Sequence, residues 1–244
     1  MSEGHSLRAI GVSRSFAGVR ALDGVSIAIG RREVVGLIGP NGSGKTTLVN
    51  LLSGYDRPDQ GSISLDGVDI STWSPHKRCH RGLSRTFQHG RLYRGLTARE
   101  NVEVAALANG LHRQDARATA DRLLERLGLA ERADQPAAVL PHGDERRLGL
   151  ARALATNPTY LLMDEPAAGL NEGEVPALAE TIRAVADADG CGVLLIDHNM
   201  GLVMRVCDRV QVVVDGATLV EGTPNEVRTH PAVAEAYLGR RVVR

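Results

Sequence analysis

The stretch Gly39-Pro40-Asn41-Gly42-Ser43-Gly44-Lys45-Thr46 sets glycines, a lysine and a threonine in the order of a phosphate-binding loop. Glycine lets backbone N–H groups converge on phosphate oxygens, and a helix opening at the end of the loop adds the positive end of its dipole. Lys45 is placed to reach the outer phosphates, and the Thr46 hydroxyl to hold Mg²⁺. Gly39, Asn41, Gly42, Ser43, Gly44, Lys45, Thr46 and the following Thr47 are therefore the candidate nucleotide contacts. A chance glycine-rich turn is the bland alternative, and the flanks argue against it. Val34-Val35-Gly36-Leu37-Ile38 reads as a strand buried on both faces, and Thr46 to Leu52 as a helix with Gly54 as its C-cap.

A phosphate loop alone says only that a nucleotide binds. Tyr160-Leu161-Leu162-Met163-Asp164-Glu165 adds an apolar strand that delivers two carboxylates at its end. Asp164 is placed to hold Mg²⁺, directly or through water. Glu165 is a candidate general base for an attacking water.

The elements that must position these groups are legible in outline. Val25, Ile27 and Ile29 alternate with Ser26, Ala28 and Gly30, the period of a half-buried strand. Asp66-Gly67 and Asp215-Gly216 each separate short apolar runs and mark hairpins, because both turn positions tolerate positive φ. Helical periodicity takes over from about Arg99 to Arg126, where Ala116, Ala120, Leu123, Leu124 and Leu127 share one face. The charged residues opposite them read as a solvated face. Val193-Leu194-Leu195-Ile196 is a further buried strand, and Thr223-Pro224-Asn225-Glu226 starts a helix with a capping box. Strands alternating with helices predict a parallel, helix-covered sheet interrupted by a helical insertion.

Composition narrows the class. The 244 residues are 43% hydrophobic but only 3% aromatic, so the core must be aliphatic. Lys+Arg and Asp+Glu are each 29, a balance that gives no support to nucleic-acid binding. Cys79, Cys191 and Cys207 are widely spaced and fit neither a disulfide framework nor a zinc site. No run approaches the about 18 to 20 apolar residues of a membrane span, and Met1 to His5 does not begin a signal peptide. The expectation is a soluble, cytoplasmic chain, any membrane role of which must come through a partner.

In this order along the chain, the motifs resemble the nucleotide-binding subunits of ABC transporters, from about Leu7 to Gly239. The resemblance implies an α/β P-loop NTPase (RecA-like) fold: a parallel core sheet, an N-terminal antiparallel β subdomain and an inserted α-helical subdomain. It implies one ATPase domain over 1–244, with a nucleotide-binding core at 1–88 and 159–244 and a helical signature subdomain at 89–158. It casts Phe16 as the aromatic that stacks on adenine, with a core or edge Phe as the bland alternative. Gln88 resembles the glutamine that touches Mg²⁺ and the attacking water, and His198 the switch histidine at the γ-phosphate. Ala168-Gly169-Leu170-Asn171 occupies the position of the loop that crosses the dimer interface.

The family signature is where the chain departs. Leu140-Pro141-His142-Gly143-Asp144 stands where the family has Leu-Ser-Gly-Gly-Gln. The resemblance still makes Pro141, His142, Gly143 and Asp144 contacts to the ATP held by an opposite subunit. Pro141, however, offers neither hydroxyl nor N–H. Either the signature grips ATP more weakly, or some subfamilies dispense with the serine. Short stretches around Arg146 to Pro158, Ala167 to Asn171 and Asp208 to Gly239 look most like ATPase subunits of branched-chain (hydrophobic) amino-acid importers. That implies ATP and Mg²⁺ as cofactors, a head-to-tail dimer with a like or a second ATPase subunit, and permease partners at the cytoplasmic face of the membrane. A solute-binding protein would be an indirect partner. Leu92, Tyr93 and Leu96 are available for permease docking or for local packing. Exporter or iron–sulfur assembly ATPases share these motifs. A regulatory module that holds ATP without hydrolysing it is opposed by Glu165 and His198, and a small-molecule P-loop kinase by Gln88, the signature-like helix and His198.

Overall fold

The computed structural model describes residues 5–86 and 92–238. Its centre is a six-stranded sheet in the order β10-β9-β3-β8-β7-β6. The strands are β3 (Val34–Ile38), β6 (Leu83–Arg85), β7 (Tyr160–Asp164), β8 (Gly192–Ile196), β9 (Arg209–Val214) and β10 (Ala217–Gly222). All pairings are parallel except the edge pair β9–β10, which closes through the predicted Asp215-Gly216 turn with φ of 48° and 78°. A second, wholly antiparallel sheet comprises β1 (Ser6–Phe16), β2 (Val19–Gly30), β4 (Gln60–Leu65) and β5 (Val68–Asp69), in the order β2-β1-β4-β5. Asp66 and Gly67, at φ of 48° and 81°, make the tight turn that the Asp-Gly pair predicts.

Period-2 alternation divides the core into two layers. Val34 and Ile38 of β3, Leu161 and Met163 of β7, and Val193 and Leu195 of β8 join one apolar cluster. Val35 and Leu37, Leu162, and Leu194 and Ile196 from the same strands join the other. Strands buried on both faces read as continuous apolar runs, as these do. The first layer takes in α3 (Ala98–Ala108), α4 (Arg113–Arg126), α5 (His142–Leu154), α6 (Val175–Asp187) and α7 (Met200–Val206). The second takes in α1 (Lys45–Ser53) and the inner face of the antiparallel sheet. Helices α3 to α5 are inserted between β6 and β7. The shorter α2 (Pro75–His80) precedes β6, and α8 (Pro224–Thr229) and α9 (Pro231–Leu238) follow β10.

The helical stretch from Arg99 to Arg126 is two helices, because Gly110 takes φ of 97° and turns the chain between α3 and α4. The capping box at Thr223 and Glu226 forms as predicted at the start of α8. All three cysteines are free thiols, with Cys191 and Cys207 buried.

Candidate functional site

The phosphate loop joins the end of β3 to the start of α1, and steric constraints fix its glycines. Gly44 has φ of 103°, and a Cβ there would lie 2.5 Å from the Ala21 carbonyl oxygen. Gly39 is equally constrained, since a Cβ would run into the Val213 carbonyl. The loop is thus wedged between the antiparallel sheet and β9. Lys45 folds back over it, donating from Nζ to the Gly39 carbonyl at 2.7 Å and the Pro40 carbonyl at 2.9 Å. Burial lowers the Lys45 pKa from its ordinary value, and the charges of Glu165 and Asp164 oppose that shift. The Ser43 hydroxyl is buried and, among the described residues, has no hydrogen-bond partner. A buried orphan hydroxyl beside a desolvated ammonium suits an anion with several acceptor oxygens.

Strands β7 and β8 deliver the acidic and imidazole groups side by side, with Asp164 paired in register to Ile196. Glu165 follows at φ of 49°, a left-handed conformation held by its N–H bond to the Ile196 carbonyl at 2.7 Å. This turn carries its carboxylate to within 3.0 Å of His198, Oε1 to Nε2. Asn41, Gly42, Ser43, Gly44, Lys45, Thr46, Thr47, Asp164, Glu165 and His198 all line one cleft of about 190 Å³, together with Ala21 and Ile196. Residues widely separated in sequence therefore converge on one cleft. The cleft holds hydroxyl and carboxylate groups of the type that ligate a divalent cation, and an ammonium of the type that pairs with phosphate.

A family model described as ABC transporter matches residues 22–168. The chain is 42% identical to the high-affinity branched-chain amino acid transport ATP-binding protein LivG of Salmonella typhimurium, over 94% of this chain and 96% of that protein. It belongs to the ABC transporter ATP-binding family. A second model, described as branched-chain amino acid ATP-binding cassette transporter, matches residues 217–243 of this ABC subunit. The subunit is also 40% identical to the corresponding protein BraF of Pseudomonas aeruginosa, over 96% of this chain and 97% of that one. In fold it is similar to the crystal structure of an ABC transporter cassette in its ADP conformation, with a TM-score of 0.87, 30% identity, and coverage of 96% and 99%. The fold is that of a P-loop NTPase with an antiparallel β subdomain, and the ABC subunit is an ATPase.

Of the remaining predicted site residues of the ABC subunit, Phe16 and residues 141–144 are not among those that line this cleft. Gln88 is outside the described residues. Phe16 ends β1 at 45% exposure, is not among the residues that line the cleft, and stacks under the Arg14 guanidinium at 4.8 Å. In the signature, Pro141 is the N-cap of α5 and His142 is exposed, bonded to Glu145 at 3.1 Å. Gly143 is half-buried in the first turn. Asp144 is turned inward, ion-paired to Arg147 and, at 3.4 Å, to Arg132. Asn171 and Glu174 cap each other's backbone, at 2.9 and 3.1 Å, just before α6.

Two positioning groups escape sequence reasoning. Asp197, 4% exposed, accepts the Ala167 N–H through Oδ2 and the Asn199 N–H through Oδ1, each at 2.8 Å. It thereby ties the segment after Glu165 to the segment after His198. Arg85, at the end of β6, donates to Asp164 Oδ2 at 2.7 Å. The only signal for Asp197 is its place beside His198 at a strand end, and Arg85 reads as any arginine before a loop.

Proposed function

We propose that this chain is the ATP-hydrolysing subunit of a membrane importer for branched-chain or other hydrophobic amino acids. The observation that carries the reading is the 3.0 Å approach of Glu165 and His198 at the mouth of the phosphate loop. The backbone of Gly42 to Thr46 would cradle the phosphates, with Lys45 leaving its two carbonyl partners for phosphate oxygens. Thr46, Asp164 and Gln88 would hold Mg²⁺, which supplies charge neutralisation on the phosphate oxygens. Glu165 would accept a proton from the attacking water, whose oxygen bonds to the γ-phosphorus as the bond to ADP breaks. His198, held by Glu165, would meet the γ-phosphate. Phe16 would stack on adenine once Arg14 yields its ring face.

The signature end of α5 would serve the nucleotide of a partner ATPase subunit in a head-to-tail dimer, with residues 89–158 acting as a helical unit against the core of 1–88 and 159–244. Gly143 and the helix start would supply its backbone donors, since Pro141 has neither hydroxyl nor N–H. Among the described residues no helix is long and apolar enough to cross a membrane. That supports a peripheral subunit at the cytoplasmic face, bound to permease subunits and only indirectly to a solute-binding protein. The likeness to LivG and BraF and the branched-chain match at the C-terminus support the choice of solute class.

The test is to trap the Glu165→Gln variant with ATP in its native cells and identify what accompanies it from solubilised membranes. A permease and a second, different ATPase subunit are expected. Recovery from the soluble fraction alone would overturn the importer reading and leave the ATPase standing.

A further inference from the structure

The Arg85 guanidinium is almost wholly buried and occupies a junction. One arm, Nη2, reaches Asp164 Oδ2 at 2.7 Å, with the two side chains only 10% and 14% exposed. The other arm, Nη1, donates to Asn50 Oδ1 at 2.7 Å and Ser53 Oγ at 3.3 Å on the helix that the phosphate loop opens. The ring of Tyr55 lies 5.9 Å from its centre. Strand pairing fixes the backbone beneath it, with Arg85 opposite Leu162 and the Thr86 N–H bonded to the Leu162 carbonyl at 2.9 Å. Thr86 Oγ1 accepts the Asp164 N–H at 3.3 Å. Asp164 is thus held from below by its strand and from the side by a planar fork that itself cannot turn.

We propose that Arg85 is a positioning residue for the Mg²⁺ seat, fixing the rotamer of Asp164 so that Oδ1 is the oxygen presented to the cation. The inference rests on the reading of Asp164 as a cation ligand. Arg85 could act on that seat in two ways of opposite sign. As a positive charge it opposes a second cation, and its removal would tighten metal binding. As a fork it keeps the carboxylate in one orientation, and its removal would weaken metal binding. The geometry favours the second. A guanidinium tied at both arms gives directional, charge-assisted bonds, which a lysine ammonium cannot reproduce. Asn50 and Ser53 set the fork relative to α1, so the same residue keeps Asp164 in register with Thr46 at that helix's start. Partners of this kind behind a ligand carboxylate are worth about 10- to 100-fold in metal affinity.

The experiment uses the full chain saturated with ADP and reads Mn²⁺ affinity from the electron paramagnetic resonance signal of free Mn²⁺. Arg85→Met and Arg85→Lys are each expected to weaken Mn²⁺ binding about tenfold or more, although only the first removes the charge. ADP affinity in excess chelator should stay within about twofold of the parent, because the loop backbone grips the phosphates without the metal. In an Asp164→Asn background the same Arg85 substitutions should change Mn²⁺ affinity little. Unchanged or tighter Mn²⁺ binding in Arg85→Met overturns the proposal, as does an Arg85 effect that persists undiminished without the Asp164 carboxylate. If Arg85→Met does not fold, Arg85→Lys decides on the same criteria. Mn²⁺ affinity untouched by Asp164→Asn alone would instead refute Asp164 as a ligand, and the positioning role with it.

Discussion

Replacing Asp197 with alanine should both destabilise the protein and slow its chemistry. The carboxylate is buried and receives two backbone N–H bonds of 2.8 Å, one from Ala167 and one from Asn199. A hydrogen bond to a charged group contributes about 1.5–3 kcal/mol, and a buried donor left without a partner costs about 1–3 kcal/mol. Both amides sit at loop starts that can relax toward water, so the sum is discounted to about 3 kcal/mol. For a chain of this size that corresponds to a melting temperature lower by about 6–12 °C. Asp197→Asn keeps one acceptor and should lose about half as much.

The chemical consequence follows from what the two amides carry. Ala167 lies two residues beyond Glu165, and Asn199 directly follows His198. Releasing both lets the 3.0 Å pair separate. A misplacement of about 1 Å can cost on the order of 100-fold in rate, so turnover should fall at least about tenfold at temperatures where the variant is folded. Calorimetry and steady-state ATPase assays on parent, Asp197→Asn and Asp197→Ala measure both effects. If Asp197→Ala melted within about 2 °C of the parent, the two bonds would be worth under about 1 kcal/mol and the argument from burial would fail.

Raising the pH should weaken nucleotide binding before the ordinary lysine range is reached. Burial lowers the Lys45 pKa in the free protein, so its charge, which the phosphates need, is lost earlier on the alkaline side. Titrating ADP affinity between neutral and alkaline pH checks this, and Lys45→Arg should remove the dependence. Pro141→Ser should raise the melting temperature, because Pro141 already has the extended N-cap conformation (φ −58°, ψ 153°) and a serine there can accept an N–H of the first turn. The gain is about 1 kcal/mol. If the hydroxyl also reaches a partner's nucleotide, ATP-dependent dimerisation in a Glu165→Gln background will tighten as well. Thr223→Ala should cost about 1 kcal/mol at neutral pH without changing ADP affinity. The Glu226 carboxyl is held below its usual pKa by the Thr223 backbone and hydroxyl, so its contribution is present at neutral pH and disappears as pH falls through the lowered value. The melting-temperature difference between parent and Thr223→Ala should therefore shrink in acid.

What the sequence reveals about the site follows from how local each signal is. The phosphate loop is contiguous, and its strand and helix flank it directly. Glu165 and His198 are 33 positions apart, yet both lie just past the ends of apolar runs. In a parallel sheet such ends gather at one edge, so their meeting follows from topology. Asp144 could not be read in this way. At the start of a helix it looks like an outward-facing acid, and only the packing of the 132 and 147 positions turns it into a buried ion pair. Helical periodicity continues on both sides of Gly110, whose positive φ sets the break between α3 and α4. Arg85 and Asp197 act on groups 79 and 30 residues away, respectively, and neither residue type is distinctive at its position.

Arg78 shows why such groups accumulate around this site. With aromatics only 3% of the chain, there are few large rigid side chains to wedge elements against one another. Arg78 is completely buried and donates to the carbonyls of Leu51 and Leu52 at the C-terminal end of α1, and to those of Ser71 and Trp73. Burial lowers its pKa to about 10, which still leaves it charged at neutral pH. A cation at the C-terminus of a helix complements the negative end of its dipole, just as a phosphate complements the positive end. The opposite ends of α1 therefore carry matched charge partners, Arg78 fixed by the fold and the nucleotide supplied by binding. Arg85 grips the same helix from its flank through Asn50 and Ser53. The helix that must not shift when phosphate binds is thus held by directional bonds from two arginines, where an aliphatic core supplies volume but little orientation.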